Sequence, residues 1–215
     1  MGTRLLSCVL VTAACAFLSA APAGATIYIQ LANADTNGGV LTTVATGTTS
    51  ASFSGVYGDY NIQNITASDI FPIDLGTNTF DVAATPTANP LFIMVTETPI
   101  TNVPGEFLST LTENNLSSGW TVEETTWVNS TELFADTFSG VGSTQQLNAA
   151  SVTSPFSLSE EFMINPNGAA GQDQSTESII GAPEPSTWAM FCVGFAGLGM
   201  LRLTNPRRKE ARYAI

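Results

Sequence analysis

The chain has 215 residues, carrying 18 Asp and Glu against 6 Lys and Arg, with no His and a formal charge of −12. Without an imidazole, Ser-His-Asp and Cys-His nucleophilic catalysis are excluded. Between residues 26 and 182 there is no Lys or Arg either, so a P-loop and a phosphate-neutralising nucleic-acid surface are excluded there, and Cys- and His-based zinc sites with them.

Residues 1–25 read as a secretory signal peptide. Arg4 supplies the n-region charge and an uncharged apolar run follows from Leu5 to about Ala20. Ala23 and Ala25 place small residues at −3 and −1, so cleavage by signal peptidase is expected after Ala25. Cys8 and Cys15 fall inside this segment and Cys192 near the other end, so the exported region has no thiol to form a disulfide.

Residues 26–182 are one domain's length, rich in Thr, Ser, Asn and Gly. Short segments with period-two alternation or β-branched enrichment predict strands at Thr26–Leu31, Ser50–Tyr57, Tyr60–Ile65, Asn78–Val82, Leu91–Val95, Glu106–Leu111, Trp120–Val128 and Ser157–Ile164. Turn signals separate them at Asn37-Gly38-Gly39, Tyr57-Gly58-Asp59, Thr85-Pro86, Val103-Pro104-Gly105, Ser118-Gly119 and Asn165-Pro166-Asn167-Gly168. No segment has a convincing helical period, although Ser130–Phe134 admits a short helix. The expected architecture is an all-β antiparallel β-sandwich over 26–167. Residues 168–182 read as a last strand near Glu177–Ile180 and a linker.

Candidate sites in this region are few. Asn33, Asp35 and Asn37 match the first half of a calcium loop, but its twelfth position is Val44 rather than Glu, and Asn37-Gly38 equally makes a turn. Calcium is the one cofactor the pattern would take; otherwise none is expected. Asp69 and Asp74 flank Phe71-Pro72 and could form a carboxylate pair, for a metal or for glycoside hydrolysis, a reaction that needs no histidine. Glu123-Glu124 and Glu160-Glu161 are adjacent strand residues that point to opposite faces, and they read as solvated edges. Trp120 and Trp127, seven apart in one predicted strand, imply one core indole and one exposed ring able to stack on a sugar.

The chain's end has three parts in fixed order. Pro183, Glu184 and Pro185 form a stiff, extended stalk. An apolar run follows from Trp188 to Leu201, extendable to Thr204 as a transmembrane helix over 188–204. Arg202, Arg207, Arg208 and Lys209 then mark the cytoplasmic side. The sequence PEPSTWAM, the glycine-rich VGFAGLG and the basic cluster together resemble the PEP-CTERM sorting domain over residues 183–212. That resemblance implies recognition by an exosortase, an inner-membrane cysteine transpeptidase-like enzyme that cleaves near the tripeptide. It also implies a host that makes exopolysaccharide and biofilm.

The expectation is therefore a non-enzymatic structural or adhesive protein. It would be exported, transiently anchored in the inner membrane, then released to the cell surface or extracellular matrix. Its partners would be signal peptidase, exosortase and exopolysaccharide. A calcium- or polysaccharide-binding surface module and a carboxylate-only glycosidase are the alternatives.

Overall fold

The computed structural model describes residues 25–69 and 73–182, together with residues 193 and 195. The described chain forms twelve strands: β1 (Thr26–Asn33), β2 (Thr42–Gly47), β3 (Ser50–Tyr57), β4 (Tyr60–Asp69), β5 (Asp74–Ala84), β6 (Leu91–Ile100), β7 (Glu106–Leu116), β8 (Thr121–Val128), β9 (Thr131–Phe138), β10 (Gly142–Asn148), β11 (Phe156–Asn165) and β12 (Gly171–Ala182). They assemble into two six-stranded sheets, in the orders β2-β1-β6-β11-β8-β9 and β10-β7-β12-β5-β4-β3. Every neighbouring pair is antiparallel. The fold is all-β, as the strand spacing predicts, in the two-layer arrangement of a β-sandwich.

Alternation builds the core. In β1, Ile27, Ile29 and Leu31 point inward, and in β6 Leu91, Ile93 and Val95 do the same. They meet Tyr60, Ile62, Ile65, Leu75, Phe107 and Ile179 from the other sheet in one apolar cluster. Each such side chain contributes roughly 1.5–3 kcal/mol when fully buried. Polar tips inside the core find partners: the Trp120 indole donates to the Ala169 carbonyl at 2.9 Å, and the Tyr60 hydroxyl donates to the Asn89 carbonyl at 2.8 Å. Gly171 is required beside Trp120, because a Cβ there would fall 2.3 Å from Ser117 Cβ.

Several expectations need correction. Residues 171–182 are not a short strand and linker; β12 is twelve residues long and lies between β7 and β5 in the middle of its sheet. Its polar inward residues hid it, since Asp173, Ser175 and Glu177 do not read as a buried face. The segment from Thr131 to Phe138 is strand β9, not helix. Strands β2, β9 and β10 are outside the predicted set: β2 and β10 have no fully buried residue, and β9 buries only Leu133 and Phe138. Trp120 precedes β8 rather than lying within it.

The two ends of the domain share one pole. Thr26 pairs with Thr98 at the end of β6, and Asp74 at the start of β5 pairs with Ile180 near the end of β12. The β2–β3 connection passes between the sheets there, and a 3.0 Å backbone bond from the Asp69 amide to the Thr49 carbonyl extends the β3–β4 pairing at the same pole. The predicted helix over 188–204 lies outside the described residues apart from Val193 and Phe195, which are helical and exposed. No helix among the described residues is long and apolar enough to cross a membrane.

Candidate functional site: an interior carboxyl layer

The most unusual feature of the domain is inside it. Six carboxyl side chains are buried in the sandwich: Glu97, Glu124 and Glu160 from one sheet, and Glu113, Asp173 and Glu177 from the other. Strand alternation puts them there. Glu160 lies two residues from both Leu158 and Phe162, and Glu124 lies between Val122 and Thr126, so each takes an inward position along a buried face. Thr77, Thr79, Ser109, Thr126 and Ser175 add hydroxyls to the same interior, and Ser109 and Thr126 join the sheets by a 2.8 Å bond.

Glu123 and Glu161 face outward, so the opposite-face expectation is correct for both pairs. The expectation of solvated edges is wrong for Glu124 and Glu160, each fully buried on a strand in the interior of its sheet. The available signal was hydrophobic residues at i±2, as in Leu158-Glu160-Phe162; the usual preference of charge for water argues the other way.

The layer has a bonded part and an unbonded part. In the bonded part, Ser175 Oγ lies 2.9 Å from Glu113 Oε2 and 2.9 Å from Asp173 Oδ1. A hydroxyl carries one proton, so it can donate to only one of these oxygens. The other must be protonated and donate back. Thr79 Oγ1 donates to Asp173 Oδ2 at 3.1 Å, and the Asn115 amide donates to Glu113 Oε1 at 3.0 Å. Desolvation, then the charge of Asp173, pushes Glu113 up to about 9. Burial raises Asp173 only to about 6, because the Glu113, Ser175 and Thr79 side chains hold its charge. Glu113 therefore keeps the proton at neutral pH and Asp173 the charge.

In the unbonded part, both carboxyl oxygens of Glu124, Glu160 and Glu177 are buried without a hydrogen-bond partner, as is Glu97 Oε2. Burial is the leading cause of a raised pKa for all four. It lifts Glu124 to about 8 with help from Asp173, and Glu97 to about 7 with help from Asp69 and Asp74. Glu160 and Glu177 are raised well above the ordinary carboxylate range, and each adds to the field of the other or of its neighbours. A buried neutral acid lacking a bond costs about 1–3 kcal/mol, whereas an unpaired buried ion costs several. The neutral form wins wherever protons are available. Among the described residues no three carboxylates converge closely enough to hold one metal ion.

The other candidates are spread over the domain. Asn33, Asp35 and Asn37 surround the single helical turn α1 (Ala34–Asn37), at the pole opposite the termini. Their side chains are engaged locally: Asn33 Oδ1 accepts from the Asp35 amide, Asp35 accepts from Asn89 at 2.7 Å, and Asn37 Nδ2 contacts the Val40 carbonyl and the Tyr57 hydroxyl. Gly38 closes the turn with φ 66°. Asp69 and Asp74 lie at the terminal pole; desolvation and then the Asp69 charge raise Asp74. Shallow clefts of about 290 Å³ and 440 Å³ at that pole contain Glu132 as their one carboxylate. Trp120 is the core indole and Trp127 is half-buried on the outer face. Ala25 packs partly against the core just before β1. Ala23, Pro183, Glu184, Pro185, Arg202, Arg207, Arg208 and Lys209 lie outside the described residues.

No protein-family model and no curated protein matches the chain.

Proposed function

We propose that this is an exported, exosortase-sorted structural protein of the cell surface or extracellular matrix. The observation that carries this reading is the ordered triplet of Pro183-Glu184-Pro185, apolar run and basic cluster, on a chain that opens with an export signal. A single apolar segment would serve many proteins; a rigid acidic tripeptide directly before it serves a protease that needs an extended strand. The shared pole of Thr26 and Ala182 supports the reading, because a stalk leaving β12 there hangs the whole sandwich from one end. A non-enzymatic role is supported by the composition of residues 26–182, which offers no histidine, lysine or arginine. It is also supported by the burial of six carboxyls away from solvent.

Replacing Glu184 with Ala, or both Pro183 and Pro185 with Ala, tests the sorting assignment in the native host. The expected result is a membrane-bound precursor retaining its basic tail, with little released protein. Variants processed and released like the wild type would refute it.

A further inference from the structure

We propose that strand β10 is a docking edge for β10 of a second copy of this chain, joining two six-stranded sheets into one continuous sheet. A sheet edge presents unpaired N–H and C=O groups, and proteins that stay monomeric blunt such edges with charge, proline or bulges. Four strands are edges here: β2, β9, β3 and β10. Strand β9 carries Glu132 and Asp136 and has a register shift against β8. Strand β2 has a register shift against β1, and β3 has one against β4 where Gly55 adopts φ 141°. Strand β10 has none of these devices. Its sequence GSTQQLN contains no charge and no proline, and its seven residues pair with β7 in unbroken register. Exposed apolar side chains flank and occupy it, Val141 at 73 % and Leu147 at 55 %.

Charge selects the occupant. Residues 26–182 hold sixteen carboxyl groups, the chain's eighteen less Glu184 and Glu210, and no cation; six are buried, and the charge of the others makes two copies repel. Residues 137–159, which contain β10, carry no charged side chain at all. Strand β10 itself therefore opposes no carboxylate to its copy; Glu132 and Asp136 belong to β9, which packs beside it at the edge of the other sheet. The strand is also self-complementary. A two-fold axis through Gln145 pairs Gly142 with Asn148, Ser143 with Leu147, Thr144 with Gln146, and Gln145 with itself, keeping like faces of the sheets together. Facing glutamine amides each donate and accept, which no pair of like charges could do.

Cysteine pairing tests the register, because residues 26–182 contain no native thiol. In the full chain with Cys8→Ser, Cys15→Ser and Cys192→Ser, Gln145→Cys should give a reductant-sensitive species of twice the chain mass under oxidising conditions. Mixing Ser143→Cys and Leu147→Cys chains should cross-link them to each other. Thr137→Cys, exposed on the charged edge β9, should remain single, and adding Gln146→Glu to the Gln145→Cys chain should reduce its cross-link at least several-fold. Thermal melts confirm that each variant is folded. A single-chain product from Gln145→Cys, equal cross-linking by Thr137→Cys, or a linked species containing a different protein would each overturn the proposal.

Discussion

Residues 26–182 melt at a higher temperature at pH 5 than at pH 8, by on the order of 10 °C. All twelve strands and the core lie within this stretch, so it carries the folding unit. The sign follows from the interior carboxyls. Burial raises Glu97 to about 7, Asp173 to about 6, Glu124 to about 8 and Glu113 to about 9, with Glu160 and Glu177 also well above their ordinary value of 4.5. These folded values exceed the unfolded ones, so the folded state binds protons that the unfolded state has released. Stability is then fully present below about pH 4 and falls as pH rises to about 9. A shift of a few kcal/mol in a domain of this size moves the melting temperature by about 2–4 °C per kcal/mol. Melts by circular dichroism from pH 4 to pH 9 check this. A maximum at pH 8 would mean that something other than protons neutralises the interior.

Glu160→Gln stabilises the protein at pH 8 by about 1–3 kcal/mol and leaves it nearly unchanged at pH 5. The glutamate is fully buried, and neither of its oxygens has a hydrogen-bond partner. Thr77 faces it from the other sheet, and the charges of Asp74, Glu124 and Glu97 oppose its ionisation. An amide has nearly the same shape and never ionises, so it removes the charge penalty while keeping the packing. Glu177→Gln acts in the same direction, since Glu160 and Glu124 both disfavour its charge. Urea denaturation at the two pH values measures the difference. Destabilisation at pH 8 that deepens when chelator is removed and calcium added would show that the carboxylate is holding a cation instead.

The strands legible in the sequence were those whose inner faces are apolar. Tyr60, Ile62 and Ile65 declare β4, and Leu91, Ile93 and Val95 declare β6, because alternation of apolar and polar residues is what one-sided burial requires. Edge strands β2 and β10 bury too little to leave that trace. Strand β12 is the opposite case: it is central and buried, but its inward residues are Asp173, Ser175 and Glu177, so burial carried no apolar signature. The candidate site was missed for the same reason. Local parity places Glu124 and Glu160 on one face and Glu123 and Glu161 on the other, but parity alone does not say which face is inside. Only the neighbours two residues away do, and the general cost of burying charge argues against them. The absence of any basic residue in the region held the remaining clue. Carboxyls that must be buried without a cation have to take protons, and Ser175, placed between Glu113 and Asp173, has a geometry that demands one.

The sorting assignment rests on two cuts, one at each end of the sandwich, and intact-mass spectrometry of the protein released by its native host reads both together. The account predicts a chain beginning at Thr26 and ending close to Pro183-Glu184-Pro185, without the apolar run from Trp188 or the basic residues from Arg202 onward. A released protein that still carries Arg207, Arg208 and Lys209, or one that retains residues 1–25, would contradict it.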